Sequence, residues 1–177
     1  MLLSAAIDLM TAGATMSETQ LRQLSIAVGD KLKARGAWVT CAESCTGGWV
    51  AKALTDIAGS SAYFDRGFVT YSNAAKHDLL GVDEITLANY GAVSEPVVRE
   101  MAQGALSAAN ADFSVSISGI AGPEGGSADK PVGTVWFAFA TREGQIVAHK
   151  QVFSGDRDAV RLQATVFALQ TLLNDFL

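Results

Sequence analysis

One short stretch of the chain combines side chains that could act as nucleophiles with glycines that favour a tight turn. It covers 42–48 and reads A-E-S-C-T-G-G. Apolar residues before it predict a strand over about 37–41, and the pattern after it predicts a helix over 49–58. A strand, a turn and a helix would present Ser44 and several backbone N–H groups at one point. This arrangement suits either binding an anion or activating a serine.

A lysine further along the chain is the candidate base for such a serine. It is Lys76, in the segment Y-S-N-A-A-K over 71–76, inside a predicted helix over 73–80. Serine needs a base to become a strong nucleophile, and neither His77 nor His149 lies in a recognisable nucleophile pattern. Lys76 could fill the role if burial or a nearby cation keeps it neutral near pH 7. The alternative is an ordinary, exposed helical lysine.

The two cysteines raise the question of metal binding and of a rival nucleophile. Cys41 and Cys45 lie four positions apart, which is not the C-x-x-C spacing of redox or zinc sites. We therefore predict no metal and no cofactor. Cys41 is expected to be a buried strand residue, whereas Cys45, beside a helix N-terminus, could have a lowered pKa and act as the nucleophile, with Ser44 capping the helix. Glu43 could orient the turn, cap a helix or be solvated.

Spacing excludes several familiar catalytic motifs. The serine turn lacks the lysine of S-x-x-K and the flanking glycines of G-x-S-x-G. The glycines over 119–126 form neither G-x-G-x-x-G nor a P-loop, and the chain contains no H-E-x-x-H. The candidate chemistry therefore depends on Ser44 and Lys76 and not on one of these patterns.

Composition predicts one compact cytoplasmic domain. The chain has 177 residues, 49% hydrophobic content and three prolines, which suit a single core. A net charge of −5 argues against binding nucleic acid. No apolar run approaches the roughly 20 residues that span a bilayer. Asp8 interrupts the apolar start and no basic region precedes it, which argues against a signal peptide. We expect no membrane partner.

The order of predicted elements indicates the fold class. Residues 1–16 are expected to be a poorly ordered extension, and 17–177 the domain, because Ser17 and Gln20 form a capping-box pattern before the first helix. The order β-α-β-α-α-β-β-β-α follows. It predicts an α/β fold: a three-layer α/β/α domain whose mixed, mostly parallel sheet is parallel at first and antiparallel later.

This fold would bring the candidate residues together. Active groups in such domains gather at the carboxyl ends of strands. The Ser44 turn, the end of a strand at Tyr71 and the loop after Gly119 all occupy such positions, and they would converge if their strands are neighbours.

Five blocks, in order, resemble the CinA C-terminal domain family. They are A-E-S-C-T-G-G at 42–48, G-F-V-T-Y-S-N-x-x-K at 67–76, G-A-V-S at 91–94, S-G-I-A-G-P at 118–123 and K-P-V-G-T-V at 130–135. The resemblance implies an amidase that converts nicotinamide mononucleotide to nicotinate mononucleotide and ammonia in NAD salvage, acting as a homodimer. Some members of the wider family are non-catalytic, so a nucleotide-binding or regulatory module is the alternative.

The resemblance also implies roles for individual residues. Ser44 becomes the nucleophile and Lys76 its base, while Tyr71 would hydrogen-bond one of them. Arg157, near the N-terminus of the last helix, could bind the substrate phosphate or pair with a neighbouring aspartate. The candidates for oxyanion or substrate binding are Cys45, Thr46, Gly47, Gly48, Asn73, Ser118, Gly119, Gly122 and Arg157.

Overall fold

Five strands form a mixed sheet in the computed structural model, which describes residues 18–177. They are β1 (Val39–Glu43), β2 (Phe68–Val69), β3 (Phe113–Gly119), β4 (Thr134–Thr141) and β5 (Ile146–Val152). Their order across the sheet is β2-β1-β3-β4-β5. β1 pairs in parallel with β2 and β3, whereas β4 is antiparallel to both β3 and β5. The predicted mixed sheet is confirmed, with β4 alone running against the other strands.

Helices cover both faces of this sheet. They are α1 (Glu18–Arg35), α2 (Trp49–Thr55), α3 (Asn73–Leu80), α4 (Glu84–Tyr90), α5 (Glu95–Ala109) and α6 (Arg157–Thr171), the last extended by a π-helical turn over Leu172–Phe176. The sequence reading did not predict α4, and it placed the end of α2 three residues too late. Strand β1 begins and ends two residues later than predicted. No helix within 18–177 is long and apolar enough to cross a bilayer.

Alternating side chains along β3 create the three predicted layers. Phe113, Val115 and Ile117 point into the core beneath α1, α2 and α6. The serines between them face α5, where Ser114 Oγ donates to the carbonyl of Ala102 at 2.7 Å and Ser116 Oγ to that of Val98 at 2.6 Å. Small side chains on this face let α5 pack close to the sheet. The three-layer α/β/α prediction is confirmed.

The strand order positions the candidate site. Because β1 lies between β2 and β3 and parallel to both, the three carboxyl ends meet at one edge of the sheet. Ser44, Tyr71 and Gly119 follow or end these strands, so the predicted convergence is confirmed. The predicted extension over 1–16 and the capping residue Ser17 lie outside the described residues.

Candidate active site

Ser44 is the first residue after β1 and is held in a tight turn. Its N–H donates to the carbonyl of Ile117 on β3 at 3.0 Å, and its own carbonyl accepts from the N–H of Gly47 at 3.1 Å. Gly47 and Gly48 have φ angles of 60° and 103°, which glycine adopts without a steric penalty. Ser44 is 8% exposed. The turn therefore presents its hydroxyl from a fixed, mostly buried backbone.

Lys76 reaches this hydroxyl from α3. The helix starts where Ser72 Oγ accepts from the N–H of Ala75 at 3.0 Å, and it ends at Gly81 with φ 70°. Lys76 lies on its buried face, 1% exposed. Its Nζ donates to Ser44 Oγ at 3.0 Å and to the carbonyl of Thr70 at 2.8 Å. The structure thus brings together the two residues predicted as nucleophile and base, and the exposed-lysine alternative is wrong.

Burial favours the neutral form of the Lys76 amine, which a base requires. Loss of solvation lowers its pKa from 10.5 to about 8, against a smaller opposing influence of Cys45. Besides Ser44, its amine contacts the carbonyls of Thr70 and Tyr71 and no carboxylate within 18–177. At pH 7 roughly a tenth of such an amine is neutral and able to accept a proton.

The thiol of Cys45 has a raised pKa, whereas the rival mechanism with Cys45 as nucleophile requires a lowered one. It is 5% exposed, and burial raises the pKa of its thiol to about 11, with the negative charge of Glu43 adding to the effect. Burial likewise raises the pKa of Cys41. The lowered pKa considered for Cys45 is therefore wrong, and its thiolate form is scarce near neutral pH.

Glu43 is buried behind the turn and caps α2. The side chain is 0% exposed. Its Oε1 accepts from the hydroxyl of Thr46 at 2.7 Å and from the N–H of Val50 at 2.9 Å, and its Oε2 accepts from the N–H of Ala51 at 3.1 Å. The N-cap residue itself, Gly48, has no side chain to do this. Of the three roles considered for Glu43, these bonds confirm the capping one, and the solvated one is wrong.

Arg161 is a second support of the turn, and the sequence reading missed it. Its Nε donates to the carbonyl of Cys45 at 3.0 Å and its Nη2 to that of Thr46 at 3.2 Å. A signal was available, because Arg161 lies four residues after Arg157 and so on the same face of α6. One helix therefore carries both Arg161, which bonds the turn, and Arg157, which lines the pocket.

A pocket of about 280 Å³ opens beside the Ser44 hydroxyl and the Lys76 amine. Other predicted residues that line it are Cys45, Tyr71, Ser118, Gly119, Gly122 and Arg157. Glu124 also lines it and was not predicted. In the described part of the chain, no group of three or more His, Cys, Asp or Glu could hold a metal ion.

Tyr71 and Arg157 form the outer wall of this pocket. Arg157 donates through Nη1 to the carbonyl of Gly122 at 2.8 Å and through Nη2 to the hydroxyl of Tyr71 at 3.2 Å. Tyr71 is 63% exposed, and within 18–177 its hydroxyl bonds neither Ser44 nor Lys76, contrary to expectation. Its backbone carbonyl lies 3.4 Å from Lys76 Nζ instead. Arg157 forms no ion pair with an aspartate in this range, and it lines the pocket.

Other predicted residues lie elsewhere. Thr46, Gly47 and Gly48 line a separate groove of about 680 Å³ between α1 and α2, behind the turn. Asn73 is exposed at the start of α3 and does not line the Ser44 pocket.

The candidate donors for an oxyanion site are backbone N–H groups of the turn. The N–H of Gly47 is already bonded to the carbonyl of Ser44. The N–H groups of Cys45 and Thr46 donate to no other backbone group within 18–177, and they remain candidates for an oxyanion site.

Comparison with known proteins identifies the family. The model of the CinA C-terminal domain matches residues 21–176. The chain belongs to the CinA C-terminal domain family. The predicted resemblance is therefore confirmed, and the match covers every candidate residue of the site.

Curated and structural relatives agree with this membership. A protein of Enterobacter agglomerans named nicotinamide-nucleotide amidohydrolase PncC is 70% identical over 162 residues, covering 92% of this chain and 99% of the relative. A protein of the same name from Pseudomonas putida is 49% identical, with 85% and 93% covered. The crystal structure of a competence/damage inducible protein from Agrobacterium tumefaciens, 47% identical, superimposes with a TM-score of 0.85 over 88% of this CinA-family chain and 96% of its own.

Proposed function

We propose that this chain is a nicotinamide-nucleotide amidohydrolase, which converts nicotinamide mononucleotide and water to nicotinate mononucleotide and ammonia. Amide hydrolysis is the activity named in its relatives at 70% identity, over nearly their whole length. The observation that carries the mechanism is the 3.0 Å contact between Lys76 Nζ and Ser44 Oγ at the pocket floor.

Acylation begins with proton transfer from Ser44 to neutral Lys76. The Ser44 oxygen attacks the carboxamide carbon, and the negative charge that develops on the carbonyl oxygen is stabilised by the N–H groups of Cys45 and Thr46. The Lys76 ammonium then protonates the departing nitrogen, so that ammonia leaves and a nicotinoyl ester of Ser44 remains. The carbonyls of Thr70 and Tyr71 hold the Lys76 amine in place during both transfers.

Deacylation reverses the proton path. Lys76, neutral again after protonating the departing nitrogen, takes a proton from a water molecule that attacks the ester carbon. The tetrahedral intermediate collapses, Lys76 returns the proton to Ser44, and the carboxylic acid product loses its proton to solvent and leaves as a carboxylate. One lysine thus acts as base and acid in both half-reactions.

Arg157 is the proposed partner of the substrate phosphate. Its guanidinium lines the pocket and is held by Gly122 and by the Tyr71 hydroxyl, so it is oriented before the substrate binds. The N-terminus of α6 is already capped by Asp156, whose Oδ1 accepts from the N–H of Ala159 at 2.9 Å. Phosphate recognition therefore falls to the arginine side chain.

The proposed reaction also suggests a cellular setting. Its product is a pyridine nucleotide without its amide, which supports a role in NAD salvage, and we propose that the enzyme acts in the cytoplasm. We further propose a homodimer that uses no cofactor and binds neither nucleic acid nor membrane.

Product analysis tests the proposed function. Purified protein is incubated with nicotinamide mononucleotide or, as a comparison without phosphate, with nicotinamide riboside, and the products are separated by chromatography. We expect equal amounts of nicotinate mononucleotide and ammonia, with much slower conversion of the riboside. Binding of the nucleotide without any turnover would contradict the proposal and favour a non-catalytic module.

A further inference from the structure

We propose that Glu43 is a positioning residue, whose buried carboxylate fixes the turn that carries Ser44. The role in turnover rests on the proposed function, whereas the role in holding the turn does not. Glu43 immediately precedes Ser44, and its side chain reaches over the turn to the residues that follow it.

The contacts of Glu43 span the whole turn. One carboxylate oxygen accepts from the Thr46 hydroxyl and the Val50 N–H, and the other from the Ala51 N–H. The carboxylate thus joins the end of β1 to the first turn of α2, with the nucleophile between them. A full negative charge that is 0% exposed is tolerated there because these donors converge on it.

The backbone of Glu43 fixes the other half of the site. Its carbonyl accepts from the N–H of Thr70 at 2.8 Å. The carbonyl of Thr70 in turn accepts from Lys76 Nζ at 2.8 Å. Glu43 therefore bonds to the Ser44 turn through its side chain. Through its main chain it bonds to Thr70, whose carbonyl holds the Lys76 amine.

The required side chain is specifically a carboxylate. The Thr46 hydroxyl and the N–H groups of Val50 and Ala51 donate to it, as does the Cys41 thiol at 3.6 Å, and a carboxylate only accepts. In Glu43→Gln one oxygen becomes an NH2 group, and in either orientation this group would face a backbone N–H, that of Val50 or that of Ala51. The turn would then have to shift. A displacement of about 1 Å at a reacting atom reduces turnover more than binding.

Cys45 provides a second readout that is independent of amidase activity. The negative charge of Glu43 adds to burial in raising the pKa of the Cys45 thiol. When the charge is removed and the turn loosens, Cys45 should react faster with iodoacetamide in the native protein. Peptide mass spectrometry separates this alkylation from that of Cys41.

The experiment compares Glu43→Gln with wild type and with a matched control. Asp83→Asn removes a capping carboxylate from α4, a helix of the same length as α2, where Asp83 Oδ1 accepts from the Ile85 N–H at 2.9 Å. We expect Glu43→Gln to fold, to lose about 10- to 100-fold in kcat and to keep its KM within about threefold. Its Cys45 should be alkylated faster, and Asp83→Asn should match wild type in all three measurements.

Each outcome decides the proposal. A kcat for Glu43→Gln within about twofold of wild type overturns it, as does an equal loss in Asp83→Asn. If Glu43→Gln does not fold, Glu43→Asp takes its place: this shorter carboxylate should lower kcat with little change in KM, and an unchanged kcat overturns the proposal. If wild type does not hydrolyse the nucleotide, the proposed function fails, and Cys45 alkylation alone decides whether Glu43 holds the turn.

Discussion

Lys76 Nζ lies 3.0 Å from Ser44 Oγ, although 32 positions separate the two residues along the chain. They meet because β1 and β2 are parallel neighbours, so that the turn after β1 and the helix after β2 start from the same edge of the sheet. The nucleophile and the base thus belong to different elements. The packing of α3 controls the distance between them.

Replacing Lys76 by Met should abolish most turnover while the protein stays folded. Methionine fills much of the buried volume but cannot accept a proton. We expect kcat to fall by about 10² to 10⁴-fold, with a much smaller change in KM, because the amine acts in the transition state. Steady-state kinetics with nicotinamide mononucleotide measure both. A rise in KM at unchanged kcat would show that Lys76 binds the substrate instead.

The pH dependence of kcat/KM should report the buried lysine. The neutral amine is the active form, and burial lowers its pKa to about 8. Activity should therefore rise with pH through that value and level off above it. The profile can be recorded between pH 6.5 and 9.5 in buffers of constant ionic strength. A profile that is flat across this range, or falls as pH rises, would contradict a lysine base.

Replacing Arg157 by Ala should weaken substrate binding more than catalysis. The guanidinium lines the pocket 3.2 Å from the Tyr71 hydroxyl and does not contact Ser44 or Lys76. Loss of a charged hydrogen bond to phosphate should raise KM by about 10- to 100-fold. Arg142→Ala is the matched control, since Arg142 pairs with Asp112 and does not line the Ser44 pocket. An unchanged KM for Arg157→Ala would assign the phosphate to another group.

Gly104 on α5 should resist substitution by alanine, although alanine usually stabilises helices. A methyl group at this position would overlap the carbonyl oxygen of Leu80, at the end of the helix that carries Lys76. We expect Gly104→Ala to destabilise the protein by about 1 to 3 kcal/mol, measured by urea denaturation. Ser107→Ala on the same helix is exposed and should be nearly neutral. Equal stability of the two variants would show that α3 and α5 can separate there without cost.

Local signals predicted much of the fold. Helix α3 was predicted at its observed bounds, where Ser72 caps its start and Gly81 its end. Helix α4 was missed, although Asp83 and Gly91 mark its ends. Its seven residues are too few for an apolar periodicity to stand out.

The candidate site was predictable in part. Ser44 and Lys76 were identified by residue type and by family resemblance, but their contact depends on strand order, which no local pattern encodes. The burial of Glu43 and the bonds from Arg161 to the turn join elements distant in sequence. The Tyr71 hydroxyl likewise bonds to Arg157, which lies 86 positions away. Contacts between residues so far apart along the chain cannot be predicted from local sequence patterns.

Ammonia release from nicotinamide mononucleotide, measured side by side for wild type, Ser44→Ala and Cys45→Ala, tests the central claim most directly. Ser44 carries the hydroxyl that Lys76 contacts, whereas the Cys45 thiol is buried with a raised pKa. We predict release by wild type, a loss of about a thousandfold or more in Ser44→Ala, and at least a tenth of wild-type turnover in Cys45→Ala. Turnover that survives in Ser44→Ala and disappears in Cys45→Ala would contradict the account.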